Sequence, residues 1–189
     1  MNKEQFDSLF YKHPLGGPSQ HPDELWNLIK WLETNYPVIE TIIEIGVFKG
    51  GTTRFWNALI SSTGLYVGID LNDRGLVPSV QEKYSLDDRM KFIIGDSTDK
   101  QVLLSCSDEL AGRKADILFI DGNHRPEYFT ADYRNYEAMV KAGGLIIFHD
   151  LADVNIGRFY NELKLSTEYD NVEFWGQKEP CGIGVLIKK

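Results

Sequence analysis

Two stretches of this chain are apolar without interruption and stop at acids: Asp116-Ile-Leu-Phe-Ile-Asp121, and Gly144-Leu-Ile-Ile-Phe-His149-Asp150. A run of four apolar residues bounded by Gly, His or Asp is short for a buried helix and lacks the alternation of a half-exposed strand. It reads as a strand covered on both faces, the environment of a central parallel strand. Parallel strands need crossover connections, usually helices, so these two runs already point to an α/β chain. In open parallel sheets ligands bind beyond the carboxyl ends of the strands, which gathers Asp121, His124, His149 and Asp150 into one crevice.

The rest of the chain alternates in the same way. Residues 1–21 read as loop, because Pro14, Gly16, Gly17, Pro18 and Pro22 punctuate them. Leu25, Trp26, Ile29, Leu32 and Tyr36 recur at helical spacing, and with Pro22, Asp23 and Glu24 in the first turn they predict a helix over 22–36, ended by Pro37. Strands are predicted at 41–45, 64–70, 90–94, 116–121 and 144–148. Helices are predicted from the turn at 46–51 to about Ile60, near 99–111, over about 126–141 and near 155–164. Two further apolar runs, Val172–Trp175 and Ile183–Ile187, close the chain. Repeated βα units give a doubly wound sheet. The helix before the first strand can cover its own sheet or a second copy, so a homo-oligomer stays open.

Composition narrows the function. With 189 residues and 42% hydrophobic content the chain supports one well-cored domain. A formal net charge of −8 and the lack of any basic stripe argue against a nucleic-acid partner. Cys106 and Cys181 lie far apart and outside metal-ligand spacing, as expected of plain thiols in a reducing compartment. The opening Met-Asn-Lys-Glu-Gln-Phe-Asp has no apolar core of a signal segment, and no run of about 20 apolar residues follows. The expectation is a cytoplasmic protein with no membrane partner.

Glu44-Ile-Gly46-Val-Phe48-Lys-Gly-Gly51 has the strand, glycine turn and helix of a nucleotide-binding fingerprint. Phe48 stands where a dinucleotide motif has its second glycine, which obstructs a pyrophosphate and makes a nicotinamide dehydrogenase the weakest reading. The turn suits a ligand without pyrophosphate, such as S-adenosylmethionine, with Gly46 allowing close backbone approach and Glu44 supplying charge near an ammonium. Asp70 ends the second strand, where a carboxylate can accept both ribose hydroxyl protons. Asp96, within Gly95-Asp96-Ser97, is placed to meet an adenine amino group. A ligand-free turn at Gly46 and a capping role for Asp70 are the plain structural alternatives.

These segments, with Ile120-Asp121-Gly-Asn-His124 and Phe148-His149-Asp150, resemble class I S-adenosylmethionine-dependent methyltransferases over roughly residues 39–151. More narrowly, Asp121-Gly-x-His124 with Phe148-His149-Asp150 is similar to the branch containing macrocin-type O-methyltransferases and cephalosporin hydroxylase-like proteins. The resemblance implies a Rossmann-like methyltransferase fold: an α/β, doubly wound, seven-stranded, mainly parallel sheet whose last strand is antiparallel. It implies a cap or lid in residues 1–38 and a cofactor-binding domain in 39–189. It also implies that Glu44, Gly46, Asp70, Asp96, Ser97 and Asp121 bind S-adenosylmethionine, and that Asp121, His149 and Asp150 match the positions of a magnesium or manganese site.

His149 replaces an acid of that pattern. Imidazole is a poor magnesium ligand, so the residue either leaves the ligand set or shifts the preferred metal. The resemblance places its base two residues after the first metal ligand, at Asn123, which cannot accept a proton, and the role passes to His124. Capping of the next helix is the structural alternative for His124. Arg125, Tyr128 and Asp132 read as helix-stabilising, and Trp26, Trp31, Trp56 and Trp175 as packing residues.

The leading expectation is O-methylation of a small hydroxylated acceptor, with a divalent ion assisting and His124 and Asp121 as catalytic residues. A second class is an iron-dependent oxygenase using His124, His149 and one carboxylate. A third is a noncatalytic binding protein that keeps the fold.

Overall fold

A computed structural model describes residues 1–12, 17–71, 76–178 and 180–189, with 76–78 described by backbone alone. Seven strands form one sheet: β1 (Ile39–Ile45), β2 (Ile60–Asp70), β3 (Met90–Ile94), β4 (Ala115–Ile120), β5 (Val140–Phe148), β6 (Tyr169–Phe174) and β7 (Ile183–Lys188). Their order is β3-β2-β1-β4-β5-β7-β6. Neighbours from β3 through β5 are parallel, and β7 runs antiparallel to both β5 and β6. The expected doubly wound sheet with an antiparallel final strand is therefore present.

The two-residue period of the strands sorts the core into two layers. Ile43, Ile45, Leu118, Ile120, Ile146 and Phe148 face one side, with Val102, Cys106, Leu110, Phe129, Tyr136, Ile156 and Tyr160 packed on them. Those residues come from helices α5 (Lys100–Leu110), α6 (Pro126–Tyr136) and α7 (Val154–Leu163). Ile42, Ile117, Phe119, Leu145 and Ile147 face the other side, under α1 (Lys3–Tyr11), α2 (Pro22–Asn35) and α3 (Thr53–Leu59). Helices α1 and α2 bury Phe6, Phe10, Leu25, Leu28, Ile29 and Leu32 in that same layer, so both helices share the core of the sheet. Trp56 is fully buried, while Trp26 and Trp31 pack at the edge of the layer.

Three local expectations are corrected. Residues 3–11 form a helix rather than loop: Asn2 accepts from the Gln5 N–H at 2.9 Å, and the Gln5 side chain accepts from the Asn2 N–H at 2.8 Å. This capping box, with Phe6 and Phe10 four residues apart, starts and seats the helix. The Pro14 and Gly16 turn signals lie outside the described residues. The helix expected over 126–141 stops at Tyr136; a single 3₁₀ turn, Glu137–Met139, leads into β5, where Val140 already pairs with Ala115. A further helix, α4 (Leu76–Lys83), joins β2 to β3. No helix among the described residues is long and apolar enough to cross a membrane.

Candidate active site

Strand order reverses between β1 and β4, since β1 continues to β2 on one side while β4 continues to β5 on the other. The carboxyl ends diverge there and open a cleft, as sheets of this type do at a switch point. The cleft has a volume of about 520 Å³, with Gly46, Phe48, Asp70, Asp96 and Ser97 toward one end and Asp121, His124, Tyr128 and Asp150 toward the other. Of the nine site residues expected from the sequence, seven border this one space, and Glu44 and His149 do not.

Glu44 does not line it. The side chain projects to the opposite face of β1, under α3, and is completely buried. Its carboxylate accepts from the hydroxyls of Thr52, Thr53 (2.8 Å) and Tyr66 and from Trp56 Nε1 (3.1 Å). Burial raises its pKa to about 7, against four hydrogen bonds that pull it down. Glu44 thus ties β1, β2 and α3 together beneath the turn.

Gly46 is required by its neighbour strand. Its φ is +93°, and a Cβ there would stand 2.1 Å from the Asp121 carbonyl oxygen. The turn continues through Phe48, held at φ +47° with its N–H donated to Asp70 Oδ2. Asp70 therefore fixes the turn and also borders the cleft. Asp96 Oδ1 accepts from the Thr98 N–H and hydroxyl, at 2.9 and 2.7 Å.

At the other end the acids and histidines form a connected chain. His149, 3% exposed, shares its Nδ1 proton between Asp121 Oδ1 (3.1 Å) and Asp150 Oδ2 (2.9 Å). Burial opposes a charge on this imidazole, yet the two carboxylates win and push its pKa up to about 10. Burial works to raise the Asp150 carboxyl, but its bond to His149, and the charges of His149 and His124, hold it below the usual carboxylate range. His124 Nε2 lies 3.0 Å from the same Asp150 Oδ2, on the cleft side and half exposed. Asp150 has φ +59°, a left-handed conformation that non-glycine residues adopt at a cost.

Two groups among the described residues could hold an ion: Asp121, His124 and Asp150, and His149, Asp150 and Cys181. His149 sits behind the two carboxylates and does not border the cleft, whereas ligating atoms of Asp121, His124 and Asp150 all lie within 4.8 Å of one another and face it. His124 and His149 together line a small cavity beside the cleft, with Asp121.

Four residues near the site were not expected. Ser19 borders the cleft, and Gln20 donates its Nε2 to Asp121 Oδ2, with its own Oε1 buried and lacking a partner among the described residues. Tyr128 lines the wall instead of only stabilising α6. Cys181, partly buried, has its Sγ within 4.8 Å of ligating atoms of His149 and Asp150. Cys181 and Gln20 reach the site from far along the chain, and no local spacing announces them.

Comparison with known proteins agrees with this architecture. The O-methyltransferase TomG from Streptomyces achromogenes, solved with S-adenosylmethionine, superposes with a TM-score of 0.68 at 16% identity, covering 100% of this chain and 91% of that one. An O-methyltransferase from Bacillus cereus, solved with S-adenosylhomocysteine, gives 0.67 at 19% identity, covering 98% and 90%. These likenesses concern the fold. An uncharacterised protein of Acanthamoeba polyphaga mimivirus is 31% identical over 120 residues, which are 60% of this chain; the chain spans about half, 52%, of that relative. The sequence model of the Methyltransferase domain family matches residues 43–151, from β1 to just past Asp150, and the chain belongs to that family.

Proposed function

We propose that this protein transfers a methyl group from S-adenosylmethionine to a hydroxyl of a small acceptor. The observation that carries the reading is the convergence of Gly46, Asp70, Asp96 and Ser97 with Asp121, His124 and Asp150 around one cleft, in a chain of the methyltransferase-domain family. The cleft volume suits an adenosyl ligand, within the range of small-molecule sites. Asp70 and Asp96 supply the carboxylates for ribose and adenine. The two fold neighbours described above, O-methyltransferases by name, one with S-adenosylmethionine and one with S-adenosylhomocysteine, support the cofactor and the acceptor class.

Bound S-adenosylmethionine supplies a methyl group on a sulfonium, and the protein's task is to align a hydroxyl and take its proton. His124, on the cleft side with Nε2 3.0 Å from Asp150 Oδ2, is the imidazole placed to accept that proton. Asp121 orders the acidic end through its bonds to His149 and Gln20. The carboxylates of Asp121 and Asp150 would hold a divalent cation, two hard oxygen donors favouring magnesium or manganese, with His124 kept outside the ligand set as the base. Such an ion supplies a lower pKa for a hydroxyl bound to it. Residues 17–20 cover the acidic end as part of a cap over the acceptor.

Calorimetric titration with S-adenosylmethionine and S-adenosylhomocysteine, with and without magnesium or manganese, tests the reading. We expect micromolar binding that weakens at least tenfold in Asp70→Asn. A folded protein that binds neither compound under any of these conditions overturns it.

A further inference from the structure

Asp132 lies on the inward face of α6, 1% exposed, and has no part in the reaction described above. Its Oδ1 accepts the hydroxyl proton of Ser97 at 2.6 Å. One turn further along α6, the Tyr136 hydroxyl donates to the Ser97 carbonyl at 3.0 Å. Ser97 is thus held from behind at two points while it borders the cleft.

A serine hydroxyl has one hydrogen. Here that hydrogen is committed to Asp132, so toward the cleft the Ser97 oxygen can only accept. The Asp96 carboxylate beside it also only accepts. The two side chains at this end of the cleft therefore ask a ligand for donors.

We infer that Asp132 is a specificity-determining residue: by fixing the direction of the Ser97 hydroxyl, it makes the site select a 6-aminopurine over a 6-oxopurine. An exocyclic amino group brings two hydrogens to these acceptors. A carbonyl at the same place brings lone pairs against lone pairs, and a mismatched polar group in a built site is rejected far more strongly than a missing methylene. The inference rests on the adenosyl reading above and deepens it, since it names which part of the nucleoside is read and by what. Burial pushes the Asp132 carboxyl up to about 6, so it is ionised and acceptor-only at pH 8.

The test is calorimetry at pH 8 with S-adenosylhomocysteine and S-inosylhomocysteine on the full chain, Asp132→Leu and Ser97→Ala, with thermal melts to verify folding. The unaltered protein is expected to prefer the adenosyl compound about 100-fold. In Asp132→Leu the serine hydroxyl is free to turn toward the cleft, and the preference falls below about tenfold, chiefly through tighter inosyl binding. In Ser97→Ala it falls through weaker adenosyl binding. Binding of both compounds within threefold by the unaltered protein overturns the inference while leaving the adenosyl reading intact. Undiminished preference in a folded Asp132→Leu removes Asp132 from the role, and binding of neither compound removes the adenosyl reading itself.

Discussion

Glu44 is the acid that a fingerprint turn invites one to place on the ligand, and its surroundings assign it to the fold. The carboxyl is protonated more readily in the native state, at about 7, than in an unfolded chain, at about 4.5. The native state therefore holds the extra proton between these values, and its stabilising effect is complete below about 4.5 and lost as pH rises through 7. The difference of 7 − 4.5 corresponds to a loss on the order of 3 kcal/mol. Urea unfolding of the protein and of Glu44→Gln at steps from pH 4.5 to 8 checks this: the slope should be present in the first and flattened in the second. The identity of Glu44 was legible as an acid ending a buried strand. Its direction was not, because strand alternation fixes a face only relative to helices whose placement the sequence leaves open. The same limit applies to His149, which was legible as part of the acidic cluster yet turns its Nδ1 onto Asp121 and Asp150 from behind. Asp132 reads as an ordinary polar position of α6 until the strand-end loop carrying Ser97 is brought to 2.6 Å from it.

At the scale of elements, α1 and the segment after it connect core to site. Phe6 is fully buried, with its ring 5.1 Å from both Phe55 and Trp26. Pro18 packs on Gly51, where a Cβ would come within 2.5 Å of the Pro18 Cα, and Gln20 bonds Asp121 two residues later. Phe6→Ala should cost about 3–5 kcal/mol in urea unfolding, the range for removing a buried phenylalanine. A cost below about 1 kcal/mol would show that α1 is not part of the core. The helix had a readable signal in Asn2, Gln5, Phe6 and Phe10, but the proline and glycine density beyond residue 13 extended the loop reading back over it. The overlong helix after Pro126 failed for another reason: its apolar spacing continues to Val140, and pairing of Val140 with Ala115 converts those last residues to strand. Tertiary contact of this kind overrides local propensity.

For the whole molecule, the sheet order places the cleft between β1 and β4, and a ligand there touches the ends of several strands at once. Saturating S-adenosylhomocysteine at about 100 times its dissociation constant should add about 2.7 kcal/mol of stability, or roughly 5–10 °C in the melting temperature of a chain this size. No shift at that concentration would mean that the native state does not bind it. Fold class was legible because apolar runs ended by Gly or Asp mark buried parallel strands whatever their order. At the acidic end Asp121, His124, His149 and Asp150 were legible from the two strand ends, whereas Gln20 and Cys181 were not, since only folding brings them there. One consequence concerns laboratory evolution. Phe48 and Asp150 both sit at positive φ, 47° and 59°, where glycine relieves a penalty of roughly 1 kcal/mol, offset in part by its greater freedom when unfolded. A library selected for heat resistance alone should therefore enrich glycine at position 48, whereas at 150 the loss of the carboxylate that pairs with buried, charged His149 outweighs the relief. Phe48 borders the cleft, so survivors of that selection need counter-selection for ligand binding at every round.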